Sequence, residues 1–107
     1  VSREVARKGP QVRQCFERIA ARHPSLDAGV RGRGFMWGLD CGHPGAAERI
    51  AQACYRRGLL IETAGVDDDV LKFLAPLTIE ADDLAHGLDI VEGAAAEVAD
   101  WAERAAA

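Results

Sequence analysis

The chain has 107 residues, with 13 Lys and Arg against 17 Asp and Glu and a formal net charge of −4. That length fits one domain with its own core, and the apolar content is that of a globular protein rather than a disordered one. The acidic balance argues against general nucleic-acid binding. No stretch nears the ~20 apolar residues that a membrane-spanning helix needs, and no signal-peptide pattern opens the sequence. The first residue is Val1 rather than methionine, which reads as a processed product or a piece of something longer.

In chain order, Ser2 to His23 is predicted helical, with Ser2 as N-cap and Val12, Cys15, Phe16, Ile19 and Ala20 on one face. Gly9-Pro10 is expected to kink or briefly break that helix, and Lys8 is placed on its exposed side beside the breaker. Pro24 ends it. Residues 25–30 read as a connector. Arg31-Gly32-Arg33-Gly34 reads as a tight turn, in preference to a phosphate- or RNA-binding loop, because the chain is acidic and the RG unit is not repeated. A strand follows, with Phe35, Trp37 and Leu39 on one face.

Ala46 to Arg57 is a second predicted helix with a stripe of Ala47, Ile50, Ala51, Cys54 and Tyr55, stopped by Gly58 in a left-handed conformation. Leu59–Thr63 and Val70–Leu74 are predicted strands joined by a turn containing Gly65 and Asp67-Asp68-Asp69, so the two pair as a hairpin ended by Pro76. The three aspartates lack the alternating ligands and distal glutamate of a calcium loop and are read as turn residues. From Glu80 a last helix runs on a face of Leu84, Leu88, Val91, Ala95, Val98 and Ala102, with Trp101 beside it. The expected fold class is α+β: a small, mainly antiparallel three-stranded sheet with helices packed on one face.

Chemistry-bearing motifs are few. Cys15, Cys41 and Cys54 form no C-x-x-C pair and read as free thiols in a reducing cytoplasm. Cys41, His43 and Cys54 are too loosely spaced for a zinc site, so no metal is expected. His23, His43 and His86 share no motif and are taken as surface residues. Lysine occurs only as Lys8 and Lys72. Lys72 stands among Val70, Leu71, Phe73 and Leu74; by alternation it shares a face with Val70 and Leu74. Two readings stay open for it. It either reaches solvent from an edge strand or faces an anion, Glu62 across the hairpin or a ligand carboxylate.

Three stretches together carry a resemblance: Val30 to Asp40 (VRGRGFMWGLD), Arg57 to Gly65 (RGLLIETAG) and Val70 to Ile79 (VLKFLAPLTI). In order and spacing they resemble the C-terminal segment of class III aminotransferases, pyridoxal-phosphate enzymes of fold type I. Within that family they are most similar to the diaminobutyrate–2-oxoglutarate branch, which opens ectoine synthesis.

The resemblance implies that residues 1–107 are the aminotransferase C-terminal domain. Residues 1–23 would be the helix leading in, 30–79 the strands and helix of the sheet, and 80–105 the C-terminal helix. It implies a cytoplasmic, homodimeric parent enzyme whose large domain carries pyridoxal 5'-phosphate and the Schiff-base lysine, neither Lys8 nor Lys72 having that lysine's context. Its substrates would be amino acids and 2-oxo acids. No catalytic, cofactor-binding or metal residue is expected in this segment, and the chain alone is expected to be inactive. Many family members carry an arginine that grips a substrate carboxylate where this sequence has Lys72, and Pro-Pro where it has Ala75-Pro76. Lys72 is therefore the expected substrate-binding residue, as a point charge rather than a bidentate fork. The competing reading is a free-standing α+β module that binds a small anion without catalysis. An apolar face left open for the large domain would make the isolated chain self-associate.

Overall fold

The computed structural model describes residues 3–33, 36–74 and 80–106. Helix α1 (Arg3–Arg22) buries Val12, Cys15, Phe16 and Ile19, the face that its periodicity marks. It runs through Pro10 without the predicted break. A proline inside a helix costs about 3 kcal/mol, but each large apolar side chain that this helix buries returns about 1.5–3 kcal/mol. Lys8, expected on the exposed side, is buried, at 4 % exposure. The Ser2 cap lies outside the described residues.

After α1 a short 3-10 turn (Pro24–Leu26) leads into β1 (Ala28–Arg33), which pairs antiparallel with β2 (Met36–Cys41) from Ala28↔Cys41 to Arg33↔Met36. Among the described residues the sheet therefore has four strands rather than three. Residues read as connector and glycine turn form its edge strand. Alternating glycine and arginine carries no strand propensity, and the ladder to β2 supplies what propensity lacks. Gly34 and Phe35 lie outside the described residues. On the core side of β2, Leu39 is buried and Trp37 half-buried.

Helix α2 (Ala46–Arg56) buries Ala46, Ala47, Ile50, Ala53 and Cys54. Tyr55, assigned to its apolar stripe, is 71 % exposed. The helix ends as predicted at Gly58, whose φ is 90°. The Leu59 N–H donates to the Cys54 carbonyl at 2.9 Å and the Gly58 N–H to that of Tyr55 at 3.0 Å, a Schellman closure. That closure occupies Leu59, so the next strand starts late: β3 is Glu62–Ala64 rather than 59–63. Leu59 and Ile61 instead pack against the core as half-buried side chains.

Strand β3 pairs antiparallel with β4 (Val70–Leu74), giving the expected hairpin, and β4 pairs with β2 on its other side. The strand order is β1-β2-β4-β3. In the intervening turn the Thr63 hydroxyl donates to the Asp68 carboxylate at 3.3 Å, consistent with the aspartates as turn residues. Residues 75–79, including Pro76, lie outside the described residues.

Helix α3 (Ala81–Ala106) buries Leu84, Leu88, Val91, Ala94, Ala95, Val98, Ala99 and Ala102. One sheet face carries Leu39, Cys41, Leu71 and Phe73 into the core, where Phe73 meets Phe16 of α1 edge-on at 6.3 Å between ring centroids. Helices α1 and α2 cover that face, and α3 packs across both of them. Salt bridges pin the helix layer: Arg18 and Arg22 of α1 reach Glu92 of α3, and Arg56 and Arg57 reach Glu97 at 2.7 and 2.9 Å. No described helix is long and apolar enough to cross a membrane.

Candidate functional site on the open face of the sheet

Because successive strand residues alternate faces, the pairing that buries Leu71 and Phe73 turns Val70 and Lys72 the other way. Lys72 is opposite Gly38 on one side and Glu62 on the other. Arg31, Met36, Gly38, Ala64, Val70 and Lys72 line a shallow hollow of about 560 Å³ on this face, which no described helix covers. Val70, Ala64 and Met36 make its walls apolar. Lys72, half-buried, and Arg31 bring positive charge to it.

Of the two anions offered to Lys72 by the sequence, Glu62 is directly opposite in register, yet no ion pair joins the two. Glu62 is exposed on the edge strand, where water competes for its carboxylate. The cationic head of Lys72 is therefore not committed to a described protein carboxylate. Arg31, by contrast, is engaged: its Nη2 lies 2.7 Å from Oδ2 of Asp40. Arg31 belongs to the stretch read as a turn, and its place beside the hollow follows only from strand pairing.

The other candidate residues stand apart from this face. His43 is half-buried, its ring edge-on to Trp101 at 5.1 Å; His86 is exposed on α3, and His23 precedes the 3-10 turn. Cys15, Cys41 and Cys54 are free and buried. Burial, the largest cause in each case, pushes their thiols up to about 12, 12 and 11 respectively, so all three are protonated and unreactive at neutral pH. The stack of Arg49, Trp101 and His43 on the helix side went unread in the sequence. A tryptophan flanking a helix face was its only signal.

Pyridoxal phosphate, which the resemblance implies, does not fit the residues described. Lys8 is enclosed in the helix layer, and Lys72 stands in a hollow walled by Met36, Val70 and Ala64, with no hydroxyl side chain lining it to take a phosphate. The face can orient an anionic group against a flat apolar floor. It offers no described nucleophile or base.

Comparison with known proteins agrees with the motifs. The family described as Aminotransferase class-III matches residues 1–95. The diaminobutyrate–2-oxoglutarate transaminase of Vibrio cholerae serotype O1 is 48 % identical over 88 residues, covering 82 % of this chain and 21 % of the relative. That of Halomonas elongata is 45 % identical over 92 residues, covering 84 % and 22 %. Among solved structures, N-acetylornithine aminotransferase from Stenotrophomonas maltophilia K279a superposes with a TM-score of 0.76 at 33 % identity, covering 88 % of this chain and 26 % of that one. Lysine aminotransferase from M. tuberculosis superposes at 0.77 with 22 % identity, a likeness of fold alone. The chain spans about a fifth of the length of the curated relatives it matches.

Proposed function

This chain belongs to the class III aminotransferase family, and we propose that it is the C-terminal domain of a diaminobutyrate–2-oxoglutarate aminotransferase. The observation that carries the reading is the 48 % identity over four-fifths of the chain to a relative of that name. The complete enzyme, a cytoplasmic homodimer, interconverts diaminobutyrate and 2-oxoglutarate with aspartate semialdehyde and glutamate, and in the direction that forms diaminobutyrate it opens the route to ectoine. Pyridoxal phosphate, when bound, supplies the electron sink for that exchange. The large domain, beyond these 107 residues, holds it, and residues 1–107 alone do not transaminate.

In this reading the open sheet face turns toward the active site and Lys72 draws a substrate carboxylate to it. Its support is the position of Lys72 on the face that no described helix covers, half-buried among apolar neighbours and with no ion pair to a carboxylate among the described residues. A partly buried charge attracts a ligand carboxylate more strongly than a fully hydrated surface lysine does. In the complete enzyme, Lys72→Ala is expected to raise KM for at least one amino-group partner about tenfold or more, consistent with loss of one charge-assisted contact. An unchanged KM for both partners overturns the role. With Met36, Tyr55, Leu60 and Val66 exposed, the isolated chain is expected to self-associate; a monomeric preparation at high concentration overturns that.

A further inference from the structure

One row of residues crosses the whole sheet on its open face. Arg31 of β1 pairs with Gly38 of β2, Gly38 with Lys72 of β4, and Lys72 with Glu62 of β3. Directly paired residues project to the same side. The row therefore reads cation, no side chain, cation, carboxylate. Gly38 matters here through space: a Cβ at this position would come 2.9 Å from Cγ1 of Val70, so the glycine makes room for the Val70 side chain, which forms an apolar floor between the two cations. At ~4.8 Å per strand, the backbones of Arg31 and Lys72 stand roughly 10 Å apart, within reach of one small anion resting on that floor. All three residues line the same hollow.

We propose that Arg31 is the second cation of a two-cation carboxylate site, in which a substrate carboxylate rests on the Val70 floor between Lys72 and Arg31. The inference rests on the carboxylate role of Lys72 stated above. Lysine provides a point charge with no preferred plane, whereas a guanidinium presents a planar fork that fixes carboxylate orientation. Arg31 engages Asp40 through Nη2, and a guanidinium has five donors, so donors remain for a ligand. Asp40 thus positions Arg31 and leaves donors of its guanidinium for the ligand. Asp40 and Glu62 offset the two cations on this face. Recognition then depends on the geometry of the pair more than on net charge.

Arg31 is 74 % exposed at its side chain, so its replacement leaves the core untouched. The test uses the complete enzyme with Arg31→Gln, Lys72→Gln and their double variant, read by KM and kcat for diaminobutyrate and 2-oxoglutarate and by melting temperature. Each single variant is expected to raise KM for the same carboxylate substrate about tenfold with little change in kcat. The double variant is expected to fall short of the product of the singles, because both cations hold one group. Arg31→Lys is expected to recover part of the loss at an unchanged melting temperature. If Lys72→Gln raises KM and Arg31→Gln does not, the second cation is overturned and the role of Lys72 stands. If neither raises it, both fall. A rise in Arg31→Gln that Arg31→Lys does not relieve, accompanied by a lower melting temperature, marks a structural salt bridge and overturns the proposal.

Discussion

The guanidinium carbon of Arg49, on α2, lies 3.9 Å from the centroid of the Trp101 ring on α3. His43, just ahead of α2, meets the same ring edge-on, so one half-buried indole ties the start of α2 to the C-terminal half of α3. A cation over an aromatic face contributes about 0.5–1 kcal/mol when partly exposed. Arg49→Met, which keeps a long side chain over the ring, is expected to lose about that amount in urea unfolding at low chain concentration. Trp101→Ala is expected to lose about 2–3 kcal/mol, since it also removes the apolar area that the indole buries.

The edge strand β1 depends on one glycine. Gly32 has φ 127°, and a Cβ there would stand 2.1 Å from the Met36 carbonyl oxygen across the ladder. Gly32→Ala is therefore expected to destabilise the fold by about 1–3 kcal/mol or more. Gly29, three residues earlier on the same strand, has nothing within 4 Å of the added atom, and Gly29→Ala is expected to be near neutral. Equal effects in urea unfolding would show that β1 does not hold this conformation.

Burial of the three thiols has a consequence in alkali. Their pKa values rise to about 12, 12 and 11 in the folded chain, while the unfolded chain ionises near the ordinary thiol value of ~8.5. A raised folded pKa means that the stability present below the unfolded pKa is lost as pH climbs toward the folded one. Unfolding free energy is expected to fall from about pH 9 upward. At pH 8 a thiol reagent is expected to leave the native chain unlabelled and to modify Cys15, Cys41 and Cys54 in urea. Rapid labelling of the native chain would contradict their burial.

Glu97 links α2 to α3 through Arg56 and Arg57, and hydrogen bonds from both guanidinium groups hold its carboxyl below the usual carboxylate range. A depressed folded pKa gives stability that is present above the unfolded pKa and lost as pH falls through the folded one. Glu97→Gln is expected to melt below the wild type at pH 7, with the gap closing toward pH 3. The carboxylate is exposed, so the effect is small and shrinks in high salt.

Local pattern decided much of this protein. The faces of α1 and α3, the end of α2 at Gly58, the 70–74 strand and its turn of aspartates each follow from a repeat or a residue whose conformational preference acts within a few positions. So does the grouping of Lys72 with Val70 on one face of its strand, because alternation along one strand settles which neighbours share a face. Three motifs were enough to place the chain in its family. Pairing between distant segments was not legible in the same way. Ala28–Arg33 became a strand because β2 offered it a ladder, against its own weak propensity. The row Arg31–Gly38–Lys72–Glu62 exists only because four strands align in one register. The Arg49–Trp101 stack and the Glu97 salt bridges join α2 and α3 across the whole hairpin between them. Hydrogen-bond register and helix packing are set by shape and burial over the whole core, so these contacts, including the site around Gly38, were decided by the tertiary structure.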